Sequence, residues 1–315
     1  MTAGGREQPR HLVLVGPTAV GKTAASLELA GDRFEIISAD SVQVYKYLDI
    51  GSGKPDRADR ERVPHHLIDV VEPDVPFTAG EFCREAVKAA ALIASHERMP
   101  MIVGGTGLYI DSYFQGLSEI PEIAPDVREA IRADMADGGL PRLHEELVRV
   151  DPAFGGRIHP NDTQRIVRGL EVFRGTGRPL SSYYTGKRGH GSGDTLYIGL
   201  FEEREDLRNR IDARVDAMFA GGFVDEVRSL RERGYGPGLN SMQSIGYAEI
   251  NLFLDGAFGL VETVDRIKTA TKQYAKRQMT WFRKNKRVVW LGAGERENMQ
   301  LLVRRWLDGG EASNK

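Results

Sequence analysis

Short apolar runs alternate with amphipathic stretches along the first hundred residues. His11-Leu-Val-Leu-Val15 is a β-rich run, Ala24 to Ala30 has helical spacing, and Phe34-Glu-Ile-Ile-Ser-Ala-Asp40 is a second β-rich run ending on a carboxylate. A helical segment from Gly80 to Ser95 leads into Met101-Ile-Val-Gly104. Strands alternating with helices over short connections predict an α/β fold with a parallel sheet and helices on both faces, which gathers the loops after the strands at one edge. From about Gln115 to Gly193 the pattern changes. Asp126 to Asp137, Arg142 to Val150 and Asp162 to Arg174 are amphipathic helical patterns separated by Pro and Gly, with no strand-like run among them. A strand pattern returns at Thr195 to Phe201, followed by a helix with Leu207, Ile211, Val215 and Met218 on one face. Gly221-Gly222 ends or kinks that helix, and Phe223 to Arg233 continues. Val261 to Lys286 reads as a long helix, and Arg287 to Leu291 as a last strand. The expected organisation is a core built from residues 1–114 and 195–315, interrupted by a helical insertion at 115–194.

Between the first strand and its helix lies Gly16-Pro-Thr-Ala-Val-Gly-Lys-Thr23, which fits G-x-x-x-x-G-K-[ST] in the strand-loop-helix context that motif requires. Gly16, Pro17, Thr18, Ala19, Val20 and Gly21 form the loop of a phosphate cradle at the positive end of a helix, where Gly16 and Gly21 let the backbone turn so that successive N–H groups point into one concavity. Lys22 adds a full charge, and the Thr23 hydroxyl suits a Mg²⁺ ligand. The bland alternative is a Gly-rich turn. On its own the motif is a generic nucleotide cradle of the P-loop NTPase type.

Other polar residues fall at the same edge. Asp40 is a Mg²⁺ ligand, a general base or a loop cap, and Ser41 and Gln43 beside it can hydrogen-bond a base. The run Met101 to Gly104 carries no Asp where a hydrolase keeps its second metal contact, and Gly104-Gly105-Thr106-Gly107 offers close backbone approach with Thr106 as its polar side chain. Arg210 and Arg214, spaced i, i+4, either close over a pyrophosphate or are ordinary surface arginines. His65-His66 with Asp69 is better read as structural, because adjacent strand side chains point apart and no third imidazole is near.

Composition narrows the classes. The chain has 315 residues, 41% hydrophobic and 28% charged, as in an ordinary globular enzyme. A formal net charge of −2 means that contact with a nucleic acid must come from local clusters. Two such clusters exist. Arg157 to Arg188 holds seven Lys or Arg against two acids, with Gln164, Arg165 and Arg168 opening a helix and Tyr183 and Tyr184 following. Glu262 to Arg287 holds nine against two, with Lys268, Lys272 and Lys276 as a stripe and Tyr274, Trp281 and Phe282 as aromatic surface. A solvated helix face is the alternative for each. Cys83 stands alone, which excludes an internal disulfide and a thiolate-rich zinc site. No apolar run reaches the ~18 residues of a membrane span, and the expectation is a cytoplasmic enzyme with polar, disordered ends at residues 1–10 and from Asp308.

Taken together, these stretches resemble the bacterial tRNA dimethylallyltransferase (isopentenyltransferase) family. The resemblance is carried by Gly16 to Thr23, Ser38-Ala-Asp-Ser-Val-Gln-Val-Tyr45, Gly51-Ser-Gly-Lys-Pro55, Pro64-His-His-Leu-Ile-Asp69, Gly104-Gly-Thr-Gly-Leu-Tyr109, Asn161-Asp-Thr-Gln-Arg-Ile-Val-Arg168, Arg210-Ile-Asp-Ala-Arg214, Gln243-Ser-Ile-Gly-Tyr247 and Thr271-Lys-Gln-Tyr-Ala-Lys-Arg-Gln278, in that order. It implies transfer of a dimethylallyl group from dimethylallyl diphosphate to N6 of adenine 37 in the tRNA anticodon stem-loop, with Mg²⁺ and release of diphosphate. Gly16 to Thr23, Arg210 and Arg214 would bind the diphosphate. Asp40 would be the base, with Lys22, Thr23, Thr106 and Arg214 completing the catalytic set. Asp40, Ser41, Val42, Gln43, Thr106, Arg128, Gln164, Arg165, Ile166, Val167, Arg168, Gln243, Gly246 and Tyr247 would contact tRNA. The resemblance is to a monomer with no membrane partner. Rival readings are a small-molecule kinase or nucleoside triphosphatase, a prenyltransferase for free adenine nucleotides, and a non-catalytic RNA-binding module.

Overall fold

The computed structural model describes residues 10–118, 120–184, 189 and 194–309. The expected disordered ends fall outside the described residues at 1–9 and 310–315, as do Lys187 and Arg188 of the first basic cluster. Arg10 itself is held: its guanidinium lies 4.4 Å above the Trp306 ring and bonds Asp194 at 2.9 Å.

The described residues fall into two compact units, Met1–Gln115 with Gly189–Lys315, and Gly116–Arg188. The first is built on β1 (His11–Val15), β2 (Phe34–Ala39), β3 (His65–His66), β4 (Met99–Gly104), β5 (Thr195–Phe201) and β6 (Val288–Gly292). They form one sheet in the order β3-β2-β4-β1-β5-β6, parallel throughout. The two-residue strand β3 was not legible as a strand in the chain's patterning beyond the paired histidines. Its helices are α1 (Lys22–Ala30), α2 (Arg57–Arg62), α3 (Ala79–Ser95) and α4 (Gly107–Gln115) before the second unit.

Alternation along β1 divides the core into two layers. Leu12 and Leu14 join Ile36, Met101 and Val103 in a cluster with Val20, Ala25 and Trp306, while Val13 and Val15 join Ile37 and Ile102 in a cluster with Phe82, Ile93, Tyr109 and Tyr113. Strands buried on both faces need an apolar residue at nearly every position, which is why these runs are continuous and not alternating. α3 starts cleanly because Thr78 and Glu81 form a reciprocal capping box.

The second unit contains α5 (Pro125–Val150), α6 (Pro152–Gly155) and α7 (Thr163–Thr176), followed by a 3₁₀ turn at Leu180–Tyr183, and its described residues include no strand. α5 covers the two helical patterns expected there, joined across a kink where Gly139 has φ 70° and Pro141 follows. Ile131, Leu143, Leu147, Ile158, Ile166 and Leu170 form its core. Buried Asp151 caps α6 and accepts the Ser181 N–H and hydroxyl at 2.8 and 2.6 Å, which ties the 3₁₀ turn to the helices.

The chain then returns to the first unit with α8 (Arg204–Ala220), α9 (Phe223–Glu232), α10 (Tyr247–Leu254), α11 (Leu260–Phe282) and α12 (Arg296–Leu307). Gly222, at φ 94°, separates α8 from α9. No described helix is long and apolar enough to cross a membrane.

Near the β3 edge a buried carboxylate organises three side chains. Glu35 of β2, 3% exposed, meets His66 Nε2 at 2.7 Å, His96 Nδ1 at 2.8 Å and Arg98 Nη1 at 3.4 Å. Burial disfavours its charge, but the hydrogen bonds and charge from His66 and His96 prevail and hold it below the usual carboxylate range. Glu35→Ala leaves Arg98 without its carboxylate and should cost about 3 kcal/mol in denaturant unfolding near neutral pH. A depressed folded pKa stabilises above the ordinary glutamate value and is lost on acidification, so the wild-type advantage should shrink as pH falls below that value.

Candidate active site

The parallel order places the carboxyl ends of β1, β2 and β4 side by side, and the three polar loops seen in the sequence emerge there. They line a cleft of about 460 Å³ together with residues of α8 and α11. Gly21, with φ 99°, turns the phosphate loop into α1. Lys22 folds back onto the loop, donating to the carbonyls of Gly16 at 2.9 Å and Pro17 at 2.8 Å. Burial lowers its pKa to about 7, with the Asp40 charge opposing the shift and Arg214 adding to it. Thr18, Ala19, Gly21, Lys22 and Thr23 line the cleft, whereas Val20 is packed in the core. Gly16 and Pro17 are buried, so they contribute carbonyls and loop shape.

Asp40 follows β2 directly. Its Oδ1 accepts the backbone N–H groups of Val42 at 2.9 Å and Gln43 at 3.2 Å, so one oxygen does cap the loop. The other has no hydrogen bond among the described residues, and Asp40 is the sole carboxylate lining the cleft. Thr106 Oγ1 accepts the Ser41 N–H at 3.1 Å, joining the β2 and β4 loops. Gln43 accepts from the Ser38 hydroxyl at 2.9 Å and donates to the Gly53 carbonyl at 3.3 Å. Val42 packs against the core.

The structure separates the two arginines that sequence spacing left equal. Arg214 forms no ion pair among the described residues and lies in the cleft wall, where burial lowers its pKa against the pull of Asp40. Its Nη2 sits 2.1 Å from where a side chain on Gly53 would begin, so a glycine there is what admits the guanidinium. Arg210 also lines the cleft but is 45% exposed and paired with Glu202 at 3.0 Å.

Three further residues were not assigned to the cleft from sequence. Gln278 of α11 accepts the Thr18 N–H at 2.8 Å and donates to the Gly105 carbonyl at 3.1 Å, bridging the phosphate loop and the β4 loop. Tyr274, one turn earlier, lines the cleft and hydrogen-bonds Thr106 and Gln278; burial, with Asp40 nearby, pushes its pKa up to about 12. Glu226 of α9 accepts the N–H groups of Asp49, Ile50 and Gly51 at 3.0, 2.7 and 3.3 Å. The i, i+4 spacing of Tyr274 and Gln278 in a helix with exposed basic residues was the available signal. Nothing in the sequence pointed to Glu226.

Several expected RNA contacts need correction. Ile166 and Tyr247 are core side chains at 0% exposure, and the Tyr247 hydroxyl donates to Glu226 at 2.7 Å. Gly246 is buried, and its N–H is bonded to Glu249. Gln164, Arg165 and Arg168 are exposed in the first turns of α7, with Val167 half-buried behind them. Arg128 and Arg168 share the buried carboxylate of Glu171, at 2.7 and 3.3 Å. Gln243 is exposed and donates to the Pro237 carbonyl. On α11 the expected stripe is divided, because Lys268 and Lys272 pair with Asp216 and Asp212 at 2.7 and 2.6 Å. Lys276, Arg277, Arg283 and Lys284 are exposed. The aromatic surface expected there is absent: Phe282 is 4% exposed, Trp281 donates to Asp111 at 2.8 Å, and Tyr274 belongs to the cleft. The described residues contain no group of three His, Cys, Asp or Glu able to hold a metal ion. His65 lines the cleft with Nδ1 at 2.7 Å from the Val63 carbonyl, and His66 serves Glu35.

Residues 43–285 match the family model described as IPP transferase, and residues 10–69 match one described as isopentenyl transferase. The tRNA dimethylallyltransferases of Syntrophobacter fumaroxidans and Geobacter metallireducens are each 47% identical to the chain. The matches cover 90% of this chain in both cases, and 84% and 93% of the relatives. Among solved structures, the tRNA isopentenylpyrophosphate transferase of Bacillus halodurans is 36% identical with a TM-score of 0.70 and 96% of both chains covered. A eukaryotic dimethylallyltransferase acting on tRNA is 26% identical with a TM-score of 0.81, covering 98% of this chain and 81% of its own. With a family match spanning most of its length and a phosphate loop, Asp40 and Arg214 gathered in one cleft, the chain belongs to the IPP transferase family.

Proposed function

We propose that the protein transfers a dimethylallyl group from dimethylallyl diphosphate to N6 of adenine 37 in the tRNA anticodon stem-loop. The observation that carries this reading is that one cleft is lined by a phosphate loop, the half-buried cations Lys22 and Arg214 and, among the described residues, a lone carboxylate. Lys22, Arg214 and the loop N–H groups stabilise negative charge as it grows on the departing diphosphate. The carbon–oxygen bond to diphosphate breaks, the N6–carbon bond forms, and the N6 proton passes to the oxygen of Asp40 not engaged with the loop. Thr106, held by Ser41 and Tyr274, orients the amine. A lone carboxylate suits this chemistry better than hydrolysis, which would need a second group to position water.

Mg²⁺ fits the donor set. It binds through few protein oxygens when a substrate supplies phosphates, and the Thr23 hydroxyl lines the cleft without a hydrogen bond of its own among the described residues. Thr23 would hold the ion, whose charge would add to that of Lys22 and Arg214 at the diphosphate. To reach Asp40 the adenine leaves its stack at a cost of a few kcal/mol. We assign a grip on the tRNA to Gln164, Arg165 and Arg168 of α7, and further tRNA contacts to Gln243, Lys276 and Arg277. Arg128 supports that grip through Glu171.

Incubation with labelled donor and a panel of tRNA, AMP and ATP should label tRNA alone, and label only on AMP or ATP would sink this reading. Asp40→Asn keeps an oxygen for the loop N–H groups but removes the base, so turnover should fall by about 10² or more with donor affinity nearly intact. Unchanged turnover would remove Asp40 from that role. For Lys22, a bound diphosphate favours the charged amine and raises its pKa from about 7. Between that value and the ordinary lysine pKa, binding must therefore take up a proton and weaken as pH rises. Calorimetry at pH 8 in two buffers of different ionisation heat should detect that uptake in the wild type, and Lys22→Met should abolish it.

A further inference from the structure

Arg210 belongs to the cleft wall, but a second guanidinium beside it has no role in the chemistry above. A side chain built on Gly21 would start 3.2 Å from Arg210 Nη2 and 3.6 Å from Arg296 Nη2. Two cations from different helices, α8 and α12, thus converge on the last glycine of the phosphate loop. Their mutual repulsion and the positive end of α1 both disfavour this arrangement unless negative charge offsets it. The protein offers little. Glu202 takes Arg210 Nη1 at 3.0 Å, but Glu28 stands 3.9 Å from Arg296 Nη1, beyond hydrogen-bond distance. Arg296 Nη1 is shut off from solvent with no hydrogen-bond partner, an arrangement that costs free energy until an acceptor arrives. The rest of the group is reachable, since the Arg210 and Arg296 side chains are 45% and 28% exposed.

We propose that Arg296 and Arg210 form an anion-binding station at the mouth of the cleft, which takes the diphosphate group as the donor enters and again as free diphosphate leaves. The station rests on the donor reading given above. Its position favours a diphosphate over a phosphodiester of the RNA, because both guanidinium groups abut the phosphate loop and Arg210 is shared with the cleft. Two planar forks can grip separate phosphoryl groups of one diphosphate, with the group then passing inward to Lys22 and Arg214.

The test measures the donor KM and inhibition by inorganic diphosphate, at saturating tRNA with Mg²⁺, in the full-length enzyme. Arg296→Gln should raise both constants together by about tenfold, the cost of one charge-assisted contact. Arg296→Lys, which keeps the charge, should restore part of the loss and control for folding. Glu28→Gln should move both constants the other way, because the competing carboxylate is gone. Unchanged diphosphate inhibition in Arg296→Gln overturns the station. So does a loss confined to affinity for an isolated anticodon stem-loop, which would make the anion an RNA phosphodiester. Failure of the donor reading would show differently, as a wild-type enzyme that transfers no label.

Discussion

Two half-buried cations in one cleft are the constraint on which the rest of the site depends. Lys22 and Arg214 each lose hydration there, and Asp40 is the sole opposing charge in the wall among the described residues. Such a site is costly until an anion fills it, and its neighbours hold it in place. Gln278 fastens the phosphate loop to the β4 loop, and Gly53 leaves the space that Arg214 occupies. Glu226 captures three consecutive N–H groups just before Gly53. Each contact restricts the rearrangements by which the cations could escape their own repulsion, and electrostatic stabilisation without reorganisation requires that rigidity.

The sheet makes this convergence possible. β1 lies between β4 and β5, and β2 lies next to β4, so segments far apart in the chain end at one edge. The phosphate loop follows β1, Asp40 follows β2, and Gly105 and Thr106 follow β4. A parallel sheet sends all these ends in one direction, and a cleft at that edge follows from topology before any side chain is chosen. In the helical unit, α7 displays Gln164, Arg165 and Arg168, with Ile166 buried to anchor the turn that presents them.

Much of this was readable in the chain. Strand runs, the phosphate loop, Asp40 and the helical insertion carry local signals: a period, a fixed spacing, a change of pattern. Side-chain environment has no such signal. Arg210 and Arg214 share a helix face in any sequence reading, yet one meets Glu202 at the surface and the other reaches into the cleft wall because Gly53, 161 positions away, has no side chain. Lys268 and Lys272 looked like RNA contacts until α8 supplied Asp216 and Asp212. Tyr247 sits in a family motif, but its task is to donate to Glu226 inside the core. A motif marks a residue as constrained without telling whether substrate or scaffold constrains it.

Asp40 shows why that distinction matters for mechanism. Its loop-capping and catalytic readings compete in the sequence, but they use different atoms in the structure. Oδ1 accepts two N–H groups and is thereby oriented, which leaves the other oxygen in a fixed position for the proton that the proposed reaction releases. A base held in this way needs no partner carboxylate and no ordered water. It also sets which atom is attacked. In the proposed reaction the cations grip the diphosphate on one side and Asp40 takes the amine's proton on the other, so the atom left between them is the allylic carbon. On that reading, a phosphate loop of the kind that presents phosphorus for attack in a kinase serves instead to stabilise a leaving group.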